Sequence, residues 1–297
     1  MSSESRKRKL EKLTRSIAQG RFGAARDILA STDRPGPARP VQAPSPMPLT
    51  QACPGRECEV IAPAGAMPCW LIEQTLHQFS PADRAITGEY ERVLRGARQR
   101  YDELEASVEL CHLTDVGPDE LLFMDTETCG FAGSPIFLLG MMFYEGGELV
   151  FQQYLARDYT EEEPVLRAYA NRVERHRMLV TFNGKSFDVP RIAERSAFFG
   201  IEPPWQEPVH LDLLHECRRH YKRALPNCKL QTLERYLCGR HRVGDIPGAA
   251  IPDAYHRFVD TQDARQLQDI LHHNALDLLT MAQLVCCVLT GAGPVID

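Results

Sequence analysis

Three apolar runs rich in strand-forming residues, LLFMDTE (121–127), IFLLGMMFY (136–144) and ELVFQQYLA (148–156), follow one another, separated by glycines and acidic turns. They predict three consecutive antiparallel strands in a meander. The pattern then changes. EEEPVLRAYANRVERH predicts an amphipathic helix, MLVTFN a buried strand, FDVPRIAERSAFFG a helix closed by Gly200, and VHLDLL another strand before a largely helical remainder to residue 290. Three strands, then helix, strand, helix, strand and helices, predict an α/β fold: a mixed β-sheet flanked by helices.

A chain of 297 residues with 43% hydrophobic content can bury one sizeable core, so one main domain is expected, spanning 115–292. Ahead of it, SESRKRKLEKLTRSIAQGRF predicts a basic helical arm within residues 1–30. The Pro-, Ser- and Gly-rich stretch that follows predicts a disordered linker over 31–60. Residues 61–114 predict a helical lead-in, because WLIEQTLHQF and GEYERVLRGARQRYDEL repeat apolar positions at spacings of three and four.

The formal charge of -6 is unevenly spread. Residues 1–26 hold eight Lys or Arg against two Glu, a local +6, so the remainder carries -6 minus 6, or -12. An acidic body argues against a protein that coats nucleic acid through bulk charge, but not against an enzyme whose carboxylates are offset by bound cations. Ten cysteines show no CxxC pair, which leaves no zinc framework and predicts reduced thiols. The chain has no run of 18 apolar residues and opens without an apolar signal segment, so no membrane association and a cytoplasmic location are expected.

Four acidic positions need an explanation. Asp125 and Glu127 lie two apart on a strand and leave the same face of the sheet. Two carboxylates at the end of a buried strand repel each other and resist desolvation unless a cation offsets them. Hard oxygen ligands of this kind suit Mg²⁺ or Mn²⁺ rather than zinc. A solvated strand-to-loop turn would also accommodate the pair. Asp188 follows the strand VTFN and begins a helix, a place that suits either a cation or the helix N-terminus itself.

Asp277 lies in LHHNALD, within a stretch from Ala264 to Leu289 that contains neither Gly nor Pro. One helix can run through it, with an apolar side drawn from Leu267, Ile270, Leu271, Leu278, Met281, Ala282 and Val285. At about 100° per residue, Asp277 falls at one margin of that stripe and His273 lies about 40° from it, while His272 points towards solvent.

Taken in order on this strand and helix plan, MDTETCG, TFNGKSFD and HNALD resemble the three exonuclease motifs of the DnaQ-like (DEDD) branch of the ribonuclease H-like superfamily. More narrowly, DTETCGFAG, LVTFNGKSFDVPRI, HLDLLHECRR, CKLQTLER, DIPGAAIP and HNALDLL resemble the YprB-type ribonuclease H-like domain over residues 115–290. The resemblance implies that Asp125, Glu127, Asp188 and Asp277 hold two divalent cations, Mg²⁺ or Mn²⁺. It also implies a 3′ to 5′ exonuclease acting on DNA or RNA by a two-metal mechanism.

A histidine has a suitable pKa for taking the proton of the attacking water. Helical phase and the YprB-type HNxxD pattern select His273, with His272 as the alternative base. By the same resemblance Thr128 borders the reacting end of the substrate, Asn183 contacts the nucleotide or orients Asp188, and Lys185 meets a phosphate. Asp212 is a further acidic residue at a strand end. The basic clusters RRHYKR (218–223) and GRHR (239–242) suit phosphate contacts or a solvated face. The alternative from another class is a noncatalytic nucleic-acid-binding or scaffold module that retains the ribonuclease H-like fold. Such a module would more naturally have lost one of the four carboxylates, and none is missing.

Overall fold

The computed structural model describes residues 45–63, 65–99, 107–130, 133–202 and 208–294; the expected basic arm and the first part of the expected linker lie outside them. Among the described residues, seven strands form one sheet: β1 (Arg56–Ala62), β2 (Gly65–Thr75), β3 (Leu121–Thr128), β4 (Ile136–Glu145), β5 (Glu148–Leu155), β6 (Met178–Thr181) and β7 (Val209–Asp212). Their spatial order is β1-β2-β5-β4-β3-β6-β7. The pairs from β1 through β3 are antiparallel, and β6 and β7 extend the sheet in parallel.

The helices are α1 (Leu49–Ala52), α2 (Leu76–Phe79), α3 (Ala85–Arg95), α4 (Val108–Cys111), α5 (Glu162–Val173), α6 (Asp188–Phe198), α7 (Leu213–Tyr221), α8 (Leu230–Leu237), α9 (Ile251–Thr261) and α10 (Arg265–Thr290). A parallel neighbour requires a crossover, which α5 supplies between β5 and β6, and α6 between β6 and β7. The mixed sheet and the β3–β4–β5 meander are as expected from the sequence.

The segment before β3 is not. Arg56–Ala62 and Gly65–Thr75 pair as β1 and β2, so the linker expected over 31–60 is folded in its last part and the helical lead-in begins as a strand. WLIEQT reads as helix because Trp70, Leu71 and Ile72 are all buried, on both faces of β2. A strand covered on both faces shows no alternation, and a short apolar run does not distinguish it from a buried helix turn. Pairing settles the matter: β2 fills the free edge of β5, from Trp70 opposite Leu155 to Thr75 opposite Val150. Helix resumes only at α2, where Thr75 and Gln78 form a capping box. Upstream, Met47 donates its amide to Asp263 Oδ1 at 3.1 Å, and its carbonyl accepts from the Ala264 amide at 2.9 Å.

Alternate residues of β3 serve two cores. Leu122 and Met124 pack with α5, α6 and α9, while Leu121 and Phe123 pack with α3, α7 and α8. Helix α10 joins the two, giving Leu267, Ile270 and Leu271 to the first and Leu278, Met281 and Val285 to the second. Its length and apolar character would suffice for a membrane span, but 78% of its most apolar window is buried inside the fold. A helix apolar on most sides suits that central position. The carboxylate site forms where α10 crosses the end of β3. All ten cysteines are free.

Candidate functional site

One row of residues brings α10 onto the sheet. Asp125 of β3 lies opposite Gly140 of β4, which lies opposite Gln153 of β5. A Cβ at Gly140 would come within 1.9 Å of Asn274 Oδ1, so the helix can sit this close only over a glycine. Gln153 Nε2 donates to Asn274 Oδ1 and to the Leu271 carbonyl, each at 2.8 Å. Thus oriented, Asn274 Nδ2 donates to Asp125 Oδ2 at 2.8 Å. Glu127 leaves the same face of β3 two residues on.

Asp188 reaches the site from the first turn of α6. Thr126, between the two strand carboxylates, donates to Asp188 Oδ1 from its hydroxyl at 2.5 Å and from its amide at 3.2 Å. The preceding loop is held by Asp212, which is 2% exposed and accepts from the amides of Asn183 (2.7 Å), Lys185 (3.1 Å) and Leu214 (3.1 Å). Asp212 therefore shapes the turn and caps α7. Asn183 adopts a left-handed φ of 66°, which asparagine tolerates better than most residues.

Across from the sheet, α10 presents Asp277 and His273. Arg242, on the loop after α8, points one guanidinium nitrogen at each of three carboxylates: Glu234 (2.6 Å), Asp245 (3.1 Å) and Asp277 Oδ1 (2.5 Å). His273 is 8% exposed, with Nδ1 2.9 Å from Asp245 Oδ1 and Nε2 3.5 Å from Asp277 Oδ2.

The electrostatics of the two sides differ. Burial drives the Asp125 carboxyl well above its ordinary pKa, and Glu127, Asp277 and Asp188 push it in the same direction, opposed only by the Asn274 hydrogen bond. Glu127 is also driven well up, by burial and then by Asp277, Asp188 and Asp245. Among the described residues neither forms an ion pair. Asp188 is raised by burial against the Thr126 hydrogen bonds. Asp277 is raised by burial, but Arg242 and His273 pull it back. Burial works against the charge of Arg242, yet Asp277 and Glu234 outweigh it and keep the guanidinium charged.

Asp125, Glu127, Asp188, Asp277 and His273 thus converge electrostatically. They do not form a finished cage: among the described residues, no group of three or more His, Cys, Asp or Glu side chains is arranged to share one ion. Asp277 has one oxygen committed to Arg242. The four carboxylates are nonetheless all hard oxygen donors and carry excess negative charge, the chemistry that suits a divalent cation.

The other expected residues lie differently. His272 is exposed, its ring 5.3 Å from that of Phe79. Thr128 turns its hydroxyl to the Gly130 carbonyl at 3.0 Å, closing the end of β3. Lys185 pairs with Glu109 at 3.0 Å. The GRHR cluster is no solvated face: Arg240 binds Asp83 and Glu234, while Arg242 is 6% exposed within its carboxylates. In RRHYKR, Arg218, Arg219, Lys222 and Arg223 remain exposed.

Reading the sequence alone misses Arg242, Asp245, Gly140 and Gln153 as parts of the site. The signals present were a glycine in a strand otherwise made of large apolar residues and an R-x-R pair near a lone aspartate.

The family profile described as RNase H superfamily matches residues 122–288. YprB of Bacillus subtilis (strain 168), described as uncharacterized, is 34% identical over 170 residues, which cover 56% of this chain and 41% of the relative. The chain therefore spans less than half the length of that relative. Among solved structures, a family B DNA polymerase from the archaeon Pyrobaculum calidifontis aligns with 55% of this chain and 24% of its own, at 17% identity and a TM-score of 0.44.

Proposed function

As the chain belongs to the RNase H superfamily and carries a YprB-type domain, we propose that it is a divalent-metal-dependent nuclease, hydrolysing phosphodiester bonds of DNA or RNA as a 3′ to 5′ exonuclease. The observation that supports this reading best is the uncompensated pair on β3. Asp125 and Glu127 face two further carboxylates and, among the described residues, have no cationic side chain of their own. Burying such a cluster is costly unless a cation is gained.

In this reading Asp125, Glu127, Asp188 and Asp277 hold Mg²⁺ or Mn²⁺, and two ions match the charge of the four carboxylates. When bound, such ions supply Lewis acidity at the phosphoryl oxygens. The chain's own side chains do the rest. Asn274 and Thr126 fix the orientations of Asp125 and Asp188. His273 directs Nε2 towards the cluster and takes the proton of the attacking water, and His272 serves as no more than a neighbour. Arg242 leaves one oxygen of Asp277 available to an ion.

One observation favours the other reading, a noncatalytic module that binds nucleic acid or partners: the Arg242–Asp277 pair already satisfies part of the fourth carboxylate. The experiment that separates the two incubates the full chain with end-labelled DNA and RNA, single and double stranded, in Mg²⁺, Mn²⁺ or EDTA. Metal-dependent shortening from the 3′ end, abolished in Asp125→Ala, is expected. Activity that survives both EDTA and Asp125→Ala rules out the metal reading, and metal-independent binding without cleavage supports the noncatalytic one.

A further inference from the structure

A histidine that serves as a base needs its lone pair aimed at the reaction and its other nitrogen protonated. On α10 alone nothing fixes that choice. The loop between α8 and α9 does. Asp245 offers its carboxylate to His273 Nδ1 with both oxygens near, at 2.9 and 3.0 Å. An ionised carboxylate only accepts hydrogen bonds, so this contact requires the proton to be on Nδ1 and leaves Nε2 as the acceptor.

The carboxylate is itself held in place. Arg242 Nη1 donates to Asp245 Oδ2 at 3.1 Å, and Gln231 Nε2 to the same oxygen at 3.3 Å. Arg242 is in turn anchored by Glu234, which is 1% exposed. A connected set of partners thus runs from α8 through the loop to His273, and it includes no residue of the sheet. Nε2 faces Asp277 Oδ2 at 3.5 Å, and an ionised carboxylate has no proton to donate, so it leaves the Nε2 lone pair free.

We propose that Asp245 is a positioning residue for this site: its hydrogen bond to Nδ1 selects the tautomer and ring orientation in which His273 Nε2 serves the reaction. The inference rests on the reading of His273 as the base. The carboxylate need not take the proton itself; orienting the ring and stabilising its charged form is sufficient, as in other histidines backed by a carboxylate.

The test uses Asp245→Asn in the full chain. Arg242 and Gln231 both donate to the Oδ2 position, so the amide oxygen stays there and its nitrogen faces Nδ1, where it donates. That reverses the requirement and moves the ring proton to Nε2. Three measurements are made together: kcat and KM on whichever end-labelled oligonucleotide the wild type degrades, Mn²⁺ affinity by calorimetry, and the ¹⁵N shifts of the His273 ring.

The expected result is a wild-type ring protonated on Nδ1 and a variant ring protonated on Nε2. The rate kcat should fall by about 10²-fold, with KM and Mn²⁺ affinity within about twofold of wild type. Asp245→Asn combined with His273→Ala should be no slower than His273→Ala alone, because the two residues act as one unit. Wild-type kcat in Asp245→Asn beside a disabled His273→Ala overturns the inference and leaves the base reading standing. Wild-type kcat in His273→Ala overturns the base reading, and the positioning role falls with it. Should Asp245→Asn fail to fold, the wild-type spectrum alone decides, and a proton on Nε2 there overturns the inference.

Discussion

The two sides of the candidate site solve the same electrostatic problem in opposite ways. On the sheet, Asp125 and Glu127 are surrounded by carboxylates, with only the Asn274 amide in relief. On the helix side, Glu234, Asp245 and Asp277 share the Arg242 guanidinium, and His273 lies between Asp245 and Asp277. A self-compensated side can fix geometry without outside help. The sheet side has no cationic partner among the described residues, and burial among like charges raises its carboxyls. Under the proposed function, the cluster is a receptor for cations on one wall and a positioning device on the other.

The comparison breaks most visibly where the sheet side is emptied. Asp125→Ala should lower cleavage on the order of 10³-fold or more, since Lewis-acid stabilisation worth several kcal/mol is lost at about 1.4 kcal/mol per tenfold. Single-turnover rates in Mg²⁺ check it. On the helix side the larger effect is on stability. Arg242→Ala leaves Glu234 and Asp277 without their shared cation and should cost roughly 3–5 kcal/mol, read from urea denaturation midpoints. Survival of wild-type stability would mean that the network is not a support.

Next in size, His273→Ala should slow the chemical step by ~10²-fold while His272→Ala stays near wild type. The reverse order would move the base to His272.

The smallest effect has the most telling sign. Asp125 and Glu127 have folded pKa values above their unfolded ones, so between those values the folded chain binds more protons than the unfolded chain. Metal-free stability must then fall as pH rises from the ordinary carboxylate range through the raised values, by about 1.4 kcal/mol per carboxyl for each pH unit between its unfolded and folded pKa. Asp125→Asn removes that penalty and should melt higher than wild type in EDTA at pH 8, though inactive. A lower melting temperature in the variant at that pH would show that Asp125 is compensated after all.

What the sequence made legible was whatever depended on local pattern. The β3–β4–β5 meander announced itself through apolar runs and turns, and α10 through 26 residues free of Gly and Pro, so Asp125, Glu127 and the phase of His273 relative to Asp277 followed. What escaped depended on distant partners. β2 is buried on both faces and so lost its alternation. Arg242 lies 35 residues before Asp277 in the chain, and Asp245 lies 28 before His273, both on an irregular loop whose path no periodicity reports. Gly140 reads as a gap in a strand until Asn274 is seen resting on it. Lys185 likewise has a distant partner that the sequence does not report: Glu109, on a helix 76 residues earlier, accepts from its ammonium.

The central claim, that the sheet side is a cation receptor, is tested most directly by titrating Mn²⁺ into the metal-free full chain by calorimetry in two buffers of different ionisation enthalpy. Raised carboxyls must shed protons to bind an ion, so the account predicts saturable binding with proton release near neutral pH. Asp125→Asn should bind at least about tenfold more weakly and release fewer protons. Binding of Asp125→Asn with wild-type affinity and wild-type proton release, or no binding by the wild type at millimolar Mn²⁺, would contradict it.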